Sequence, residues 1–113
     1  MSVNGRIVTD GKAGVTVGSG AEVSLLSASA LHIAKVRFWG LTVKPVGADI
    51  TLRVYKSFGP NVGFAEITAL TTTVSDGDAH VVEFADETAM MIKVTGQTSS
   101  GTAAVSCDLV GAA

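Results

Sequence analysis

From Ile50 to Val110 apolar and polar residues alternate with a period of two, in short runs divided by Gly, Ser, Asp and Asn. Alternation at that period places every second side chain on one face, the pattern of a half-buried β-strand. Ile50, Leu52 and Val54 against Thr51, Arg53 and Tyr55 make the clearest case. Phe64 to Val74 follows as a second strand, its three successive threonines favouring extended backbone through β-branching. Ser75-Asp76-Gly77-Asp78 predicts a tight turn, because Asp and Gly tolerate the backbone angles such turns require. His80 to Phe84 continues with Val82 and Phe84 inward. Met90, Ile92 and Val94 then alternate with polar partners, Gly96 to Gly101 reads as a hairpin loop, and Ala103, Val105, Cys107 and Leu109 form the last inward set.

The N-terminal third is less regular. Arg6 to Thr9 reads as a short strand closed by an Asp10-Gly11 turn, and Val15 to Val17 as another. Gly18-Ser19-Gly20 then predicts a hairpin to Glu22–Leu26, since glycine supplies positive φ without a Cβ clash. Leu31 to Val43 is a long strand whose apolar face switches: Val36 and Phe38 share one side, Trp39, Leu41 and Val43 the other. A β-bulge near Lys35 or Gly40 would account for that switch. Residues 44–49 form a loop, with Pro45 removing a ladder donor and ending the strand.

No segment sustains a 3.6-residue period and no linker divides the 113 residues. The expectation is one all-β domain over residues 1–113, an antiparallel β-sandwich of eight or nine strands, jelly-roll-like in topology. An immunoglobulin-like sandwich is the alternative, although one cysteine cannot supply its disulfide.

Composition sharpens this picture mainly by exclusion. Charged residues are 16% of the chain against about 25% in an average protein, while 47% are hydrophobic, so the chain should fold. The low charge has two readings: a surface covered by a partner, or simply abundant Ala, Ser, Thr and Gly. Net charge is −2, and the eight basic residues are scattered. A phosphate-backbone binder needs a basic stripe, so nucleic acid is not an expected partner. No apolar run approaches the ~20 residues of a membrane-spanning helix, and no export leader opens the chain, so a soluble protein made in a cytoplasm is expected.

The candidate chemistry is sparse. His32 and His80 are the only histidines and Cys107 the only cysteine, too few for a zinc site of three or four such ligands. No Gly-x-Ser-x-Gly elbow supports a nucleophilic serine. Asp76-Gly77-Asp78 lacks the further oxygen ligands of a calcium loop and reads as a turn. Cys107, with nothing basic beside it, reads as a small buried hydrophobe. No metal, cofactor or catalytic residue is assigned, and the expectation is a protein that is not an enzyme.

Trp39 and Tyr55 are the side chains suited to contact. They could stack on a sugar ring, pack at a subunit interface or fill the core. Val3, Ile7 and Val8 sit in a stretch, residues 1–12, that reads either as an arm ordering on a partner or as an edge strand. These five residues are the candidate interface.

The stretch Ile50-Thr51-Leu52-Arg53-Val54-Tyr55-Lys56-Ser57 resembles a strand of small β-sandwich proteins from tailed-bacteriophage particles. So does the later order Val81-Val82-Glu83-Phe84, Met91-Ile92-Lys93-Val94-Thr95-Gly96 and Val105-Ser106-Cys107-Asp108-Leu109-Val110-Gly111. Over Ile50 to Gly111 the chain is similar to head decoration, or cement, proteins, and similar pieces occur in tail-associated modules. The resemblance implies a homo-oligomer, dimer or trimer, on the outer surface of the virion with the major capsid protein as partner. A carbohydrate- or receptor-binding module of a phage tail or adhesin is the alternative it leaves open.

Overall fold

Alternation along a strand fixes which face is apolar, but the partner of each strand is fixed by register. The computed structural model describes residues 7–26, 31–32, 38–58, 61, 63–85 and 91–112. Its strands, in chain order, are β1 (Ile7–Val17), β2 (Val23–Ser24), β3 (Leu31–His32), β4 (Phe38–Val46), β5 (Ile50–Ser57), β6 (Ala65–Glu66), β7 (Thr72–Val74), β8 (His80–Ala85), β9 (Met91–Thr98) and β10 (Ala103–Ala112). One 3-10 turn, Thr68–Leu70, separates β6 from β7.

Among the described residues every pairing is antiparallel. One sheet runs β1-β10-β4-β8. In the other, β9 and β5 are central; β2 and β3 share one side of β9, and β6 and β7 share the far side of β5. The strands thus occupy eight lanes, four per sheet, in the order of a jelly roll. The all-β, jelly-roll-like sandwich expected from the alternation is the fold observed.

The core is the meeting of the two inner faces. Leu41, Val43, Val105, Cys107 and Leu109 come from the first sheet, and Ile50, Leu52, Val54, Ile92 and Val94 from the second. Leu25 and Leu26 close one side. Burying each aliphatic side chain contributes about 1.5–3 kcal/mol, the main term opposing chain entropy.

Several local expectations are corrected. Asp10-Gly11 is not a turn: β1 runs continuously from Ile7 to Val17, opposite β10. Gly11 is needed for close approach, since a Cβ there would lie 2.8 Å from the Cys107 carbonyl oxygen. The register slips between Lys12 and Val15, where Gly14 adopts φ +64° and its N–H donates to Ser106 Oγ, a bulge absorbing one extra residue. Gly18-Ser19-Gly20 does not close a hairpin, because β1 and β2 lie in different sheets.

Leu31–Val43 is not one strand: Phe38 and Trp39 point to opposite faces of β4, the first exposed and the second buried, and Val36 lies outside the described residues. β3 pairs β9 in one sheet and β4 pairs β10 and β8 in the other; β4 passes Gly40 without a bulge, and Lys35 lies outside the described residues. Pro45 stays in β4. Its carbonyl accepts the Gly77 N–H at 2.7 Å, so its donorless nitrogen points to the same side, past the end of β8. Gly96 likewise lies inside β9, and β9 and β10 are not a hairpin but cross between sheets.

Candidate interaction surfaces

The two outer faces of the sandwich differ in kind. On the β9-β5 sheet the outward residues are long and polar, and they engage one another. Tyr55 donates its hydroxyl to Glu22 Oε1 at 2.5 Å, and the Thr95 hydroxyl donates to the same oxygen at 2.6 Å. Arg53 donates to Gln97 Oε1 at 3.4 Å and lies 3.9 Å from Glu66, which accepts the Thr71 hydroxyl. The Lys93 ammonium sits 4.7 Å from the Tyr55 ring centroid and 4.9 Å from that of Phe64. Such contacts contribute about 0.5–1 kcal/mol each at exposed sites.

The electrostatics follow from this geometry. The hydroxyls of Thr95 and then Tyr55 stabilise the ionised Glu22 carboxylate and hold its pKa below the ordinary value. Burial, then the hydrogen bond to Glu22, pushes the Tyr55 phenol up to about 12. This face is a clasp that pins Glu22, just before β2, to the middle of its sheet.

The outer face of the β1-β10-β4-β8 sheet is the opposite. Phe38 is 52% exposed, Val46 55%, Val81 60% and Val110 49%, and all four point outward from this one sheet. Between them lie small residues: Gly11, Gly40, Ala104, Thr42 and Ser106. Lys44, Glu83 and Asp108 are its charged groups. A shallow depression over β1 and β10 is lined by Thr9, Gly11, Ser106, Asp108 and Val110. This surface is not among the candidate interface residues of the sequence. Its signal was present in the alternation, as valines on the outward register of β8 and β10, but only the strand order brings them to one face.

Of the five candidate interface residues, Val3 lies outside the described residues. Ile7 and Val8 open β1 opposite Ala112 and Gly111, so residues 7–12 are an edge strand of the sheet. Trp39 is 3% exposed and stacks on Phe84, centroids 6.1 Å apart; a surface role for its ring is corrected to a core one. Tyr55 is half-buried within the polar clasp. The two aromatics are on opposite sheets and form no common platform.

His80 lines a shallow depression with Thr71, Thr72, Val82 and Glu83. His80 and Glu83, three residues apart on β8, face opposite sides of the strand. His32 lies in β3. Among the described residues no three His, Cys, Asp or Glu side chains gather as metal ligands. The Cys107 thiol is buried, and burial, then Asp108 and Asp10, pushes its pKa up to about 12, keeping it protonated. The Asp76 carboxylate accepts the Gly47 N–H at 2.7 Å and the Asp49 carboxylate accepts the Asp76 N–H at 2.8 Å, so this turn is tied to the β4–β5 turn.

No family model matches the chain, and no curated protein matches it in sequence. Among solved structures it is similar to a crystal structure of PirA, with a TM-score of 0.55 and 11% identity over 98% of this chain and 95% of that one. It is also similar to a chain in the structure of infectious bursal disease virus Gx strain, TM-score 0.53 and 15% identity, over 98% of this chain and 32% of that one. At these identities the likeness is one of fold. The chain spans about a third of the virus chain.

Proposed function

We propose that this chain is a structural virion protein that binds the outer surface of a tailed-bacteriophage capsid and stabilises the shell as a small oligomer, without enzymatic activity. The observation that carries this reading is an exterior built for association: among the described residues, four of the five exposed large apolar side chains lie on one sheet face. A patch of that kind marks an interaction surface more often than an idle one. The resemblance of Ile50–Gly111 to decoration proteins supports the same reading, as does the likeness in fold to a chain from a virus structure. The physical requirements agree. A shell-bound subunit needs a rigid fold and a weakly charged contact, and repetition over a lattice multiplies modest single contacts. The major capsid protein is the partner.

The test is co-sedimentation of the purified protein with shells assembled without it, followed by heating. Saturable binding and a raised disruption temperature are expected. Shells that neither retain the protein nor gain heat resistance contradict the reading.

A further inference from the structure

We infer that the outer face of the β1-β10-β4-β8 sheet is an isologous interface that takes a second copy of this chain. This rests on the oligomeric part of the reading above and not on the shell.

The first ground is self-complementarity, read from the register. At the level of Gly40, β10 presents Val110 and β8 presents Glu83, while β1 presents Thr9. Two residues along, the same four lanes present Gly11, Asp108, Thr42 and Val81. Further along, Ser106 lies beside Lys44 and Ala104 beside Val46. A twofold axis along the strands, midway between β10 and β4, exchanges β10 with β4 and β1 with β8. Each exposed valine then meets a small residue of the other copy: Val110 meets Gly40, Val81 meets Gly11 and Val46 meets Ala104. Each charge meets a hydroxyl: Lys44 meets Ser106, Asp108 meets Thr42 and Glu83 meets Thr9. No like charges are opposed. The depression over β1 and β10 receives the bulkier β4 and β8 half of the partner. An interface in which residue i meets j and j meets i is what a twofold dimer requires.

The second ground is Gly40. It sits within the strand without a positive φ, and a Cβ built on it meets nothing among the described residues within 4 Å. Its own fold gives no reason for a residue that weakens a strand. Close approach of another surface gives one.

Area is the third. Four strands about 4.8 Å apart and nine residues at roughly 3.3 Å each give a face of roughly 600 Å². That matches the roughly 600 Å² a side at the lower end of stable interfaces.

Sedimentation equilibrium of the full chain over roughly 1–100 μM, the range of a moderate dimer, tests this. The wild type is expected at twice the 11.4 kDa chain mass. Gly40→Val is expected to weaken the dimer at least about tenfold, the effect of a hot-spot change, with its thermal melt undiminished at low concentration. Val81→Lys should do the same. Adding Val110→Ala to Gly40→Val should restore part of the affinity, because the bulk has moved from one lane to its twofold mate. A chain monomeric throughout overturns the inference, as does a dimer or trimer indifferent to both Gly40→Val and Val81→Lys. So does a Gly40→Val protein that keeps its mass and loses only shell binding. A monomer that still binds shells sinks this inference and leaves the shell reading standing; a dimer that ignores shells does the reverse.

Discussion

Trp39 shows how a residue's type misleads when its face is unknown. Its size and polar tip suit a contact surface, yet it is 3% exposed, packed on Phe84 and part of the core. Its Nε1–H is buried and meets no acceptor among the described residues, so some of the gain from burying the ring is offset. Trp39→Ala is expected to cost about 3–5 kcal/mol in urea unfolding, as for other buried large-to-small changes. Among the described residues Glu22 carries the acid side of the pH dependence, and Tyr55 shares the alkaline side with the buried Cys107, whose pKa is likewise raised to about 12. The Glu22 pKa is depressed in the fold, so its contribution is full above pH 4.5 and is lost as pH falls below that. The Tyr55 pKa is raised, so its contribution is full below pH 10 and is lost as pH rises through about 12. Unfolding titrated against pH should show Glu22→Gln flattening the acid limb and Tyr55→Phe reducing the alkaline one, with the part due to Cys107 remaining. Unchanged limbs would mean that the clasp does not hold in solution.

At the scale of elements, the central strands are legible and their partners are not; Phe64–Val74, expected as one strand, is β6 and β7 with a 3-10 turn between them. β5 was read to within two residues because Ile50, Leu52 and Val54 alternate without interruption. The inward set of β10 was equally plain. What failed was the meaning of glycine and proline. Gly18-Ser19-Gly20 looks the same whether it closes a hairpin or carries the chain to the other sheet, and in a jelly roll most connections do the second. Gly11 and Gly96 are strand residues kept small by their neighbours, the first by the β10 backbone and the second by Leu25 and Ile50. Gly47, in contrast, is a turn glycine at φ +114°, and its Cβ would stand 2.9 Å from the Thr102 carbonyl oxygen. Gly47→Ala should therefore cost about 1–3 kcal/mol of unfolding free energy, while Gly40→Val leaves the chain's own stability nearly unchanged. Equal effects in a paired denaturation would contradict the distinction between glycines the fold needs and a glycine it does not.

For the whole molecule, the sandwich separates two jobs. The β9-β5 face spends its polar groups on one another, and the opposite face leaves valines and glycines exposed. Composition hinted at this through its low charge, but it could not say whether an apolar surplus lay inside or outside. Of the candidate interface, Tyr55 alone was a useful pointer, and to the self-engaged face; Phe38, Val46, Val81 and Val110 became visible only once eight lanes were ordered. The role proposed for such an exterior is adhesion to a shell. Image reconstruction of phage particles with and without this chain measures that directly. The account predicts difference density of one or two jelly rolls on the outside of the head at each binding position. Identical reconstructions, or density confined to the tail, would contradict it.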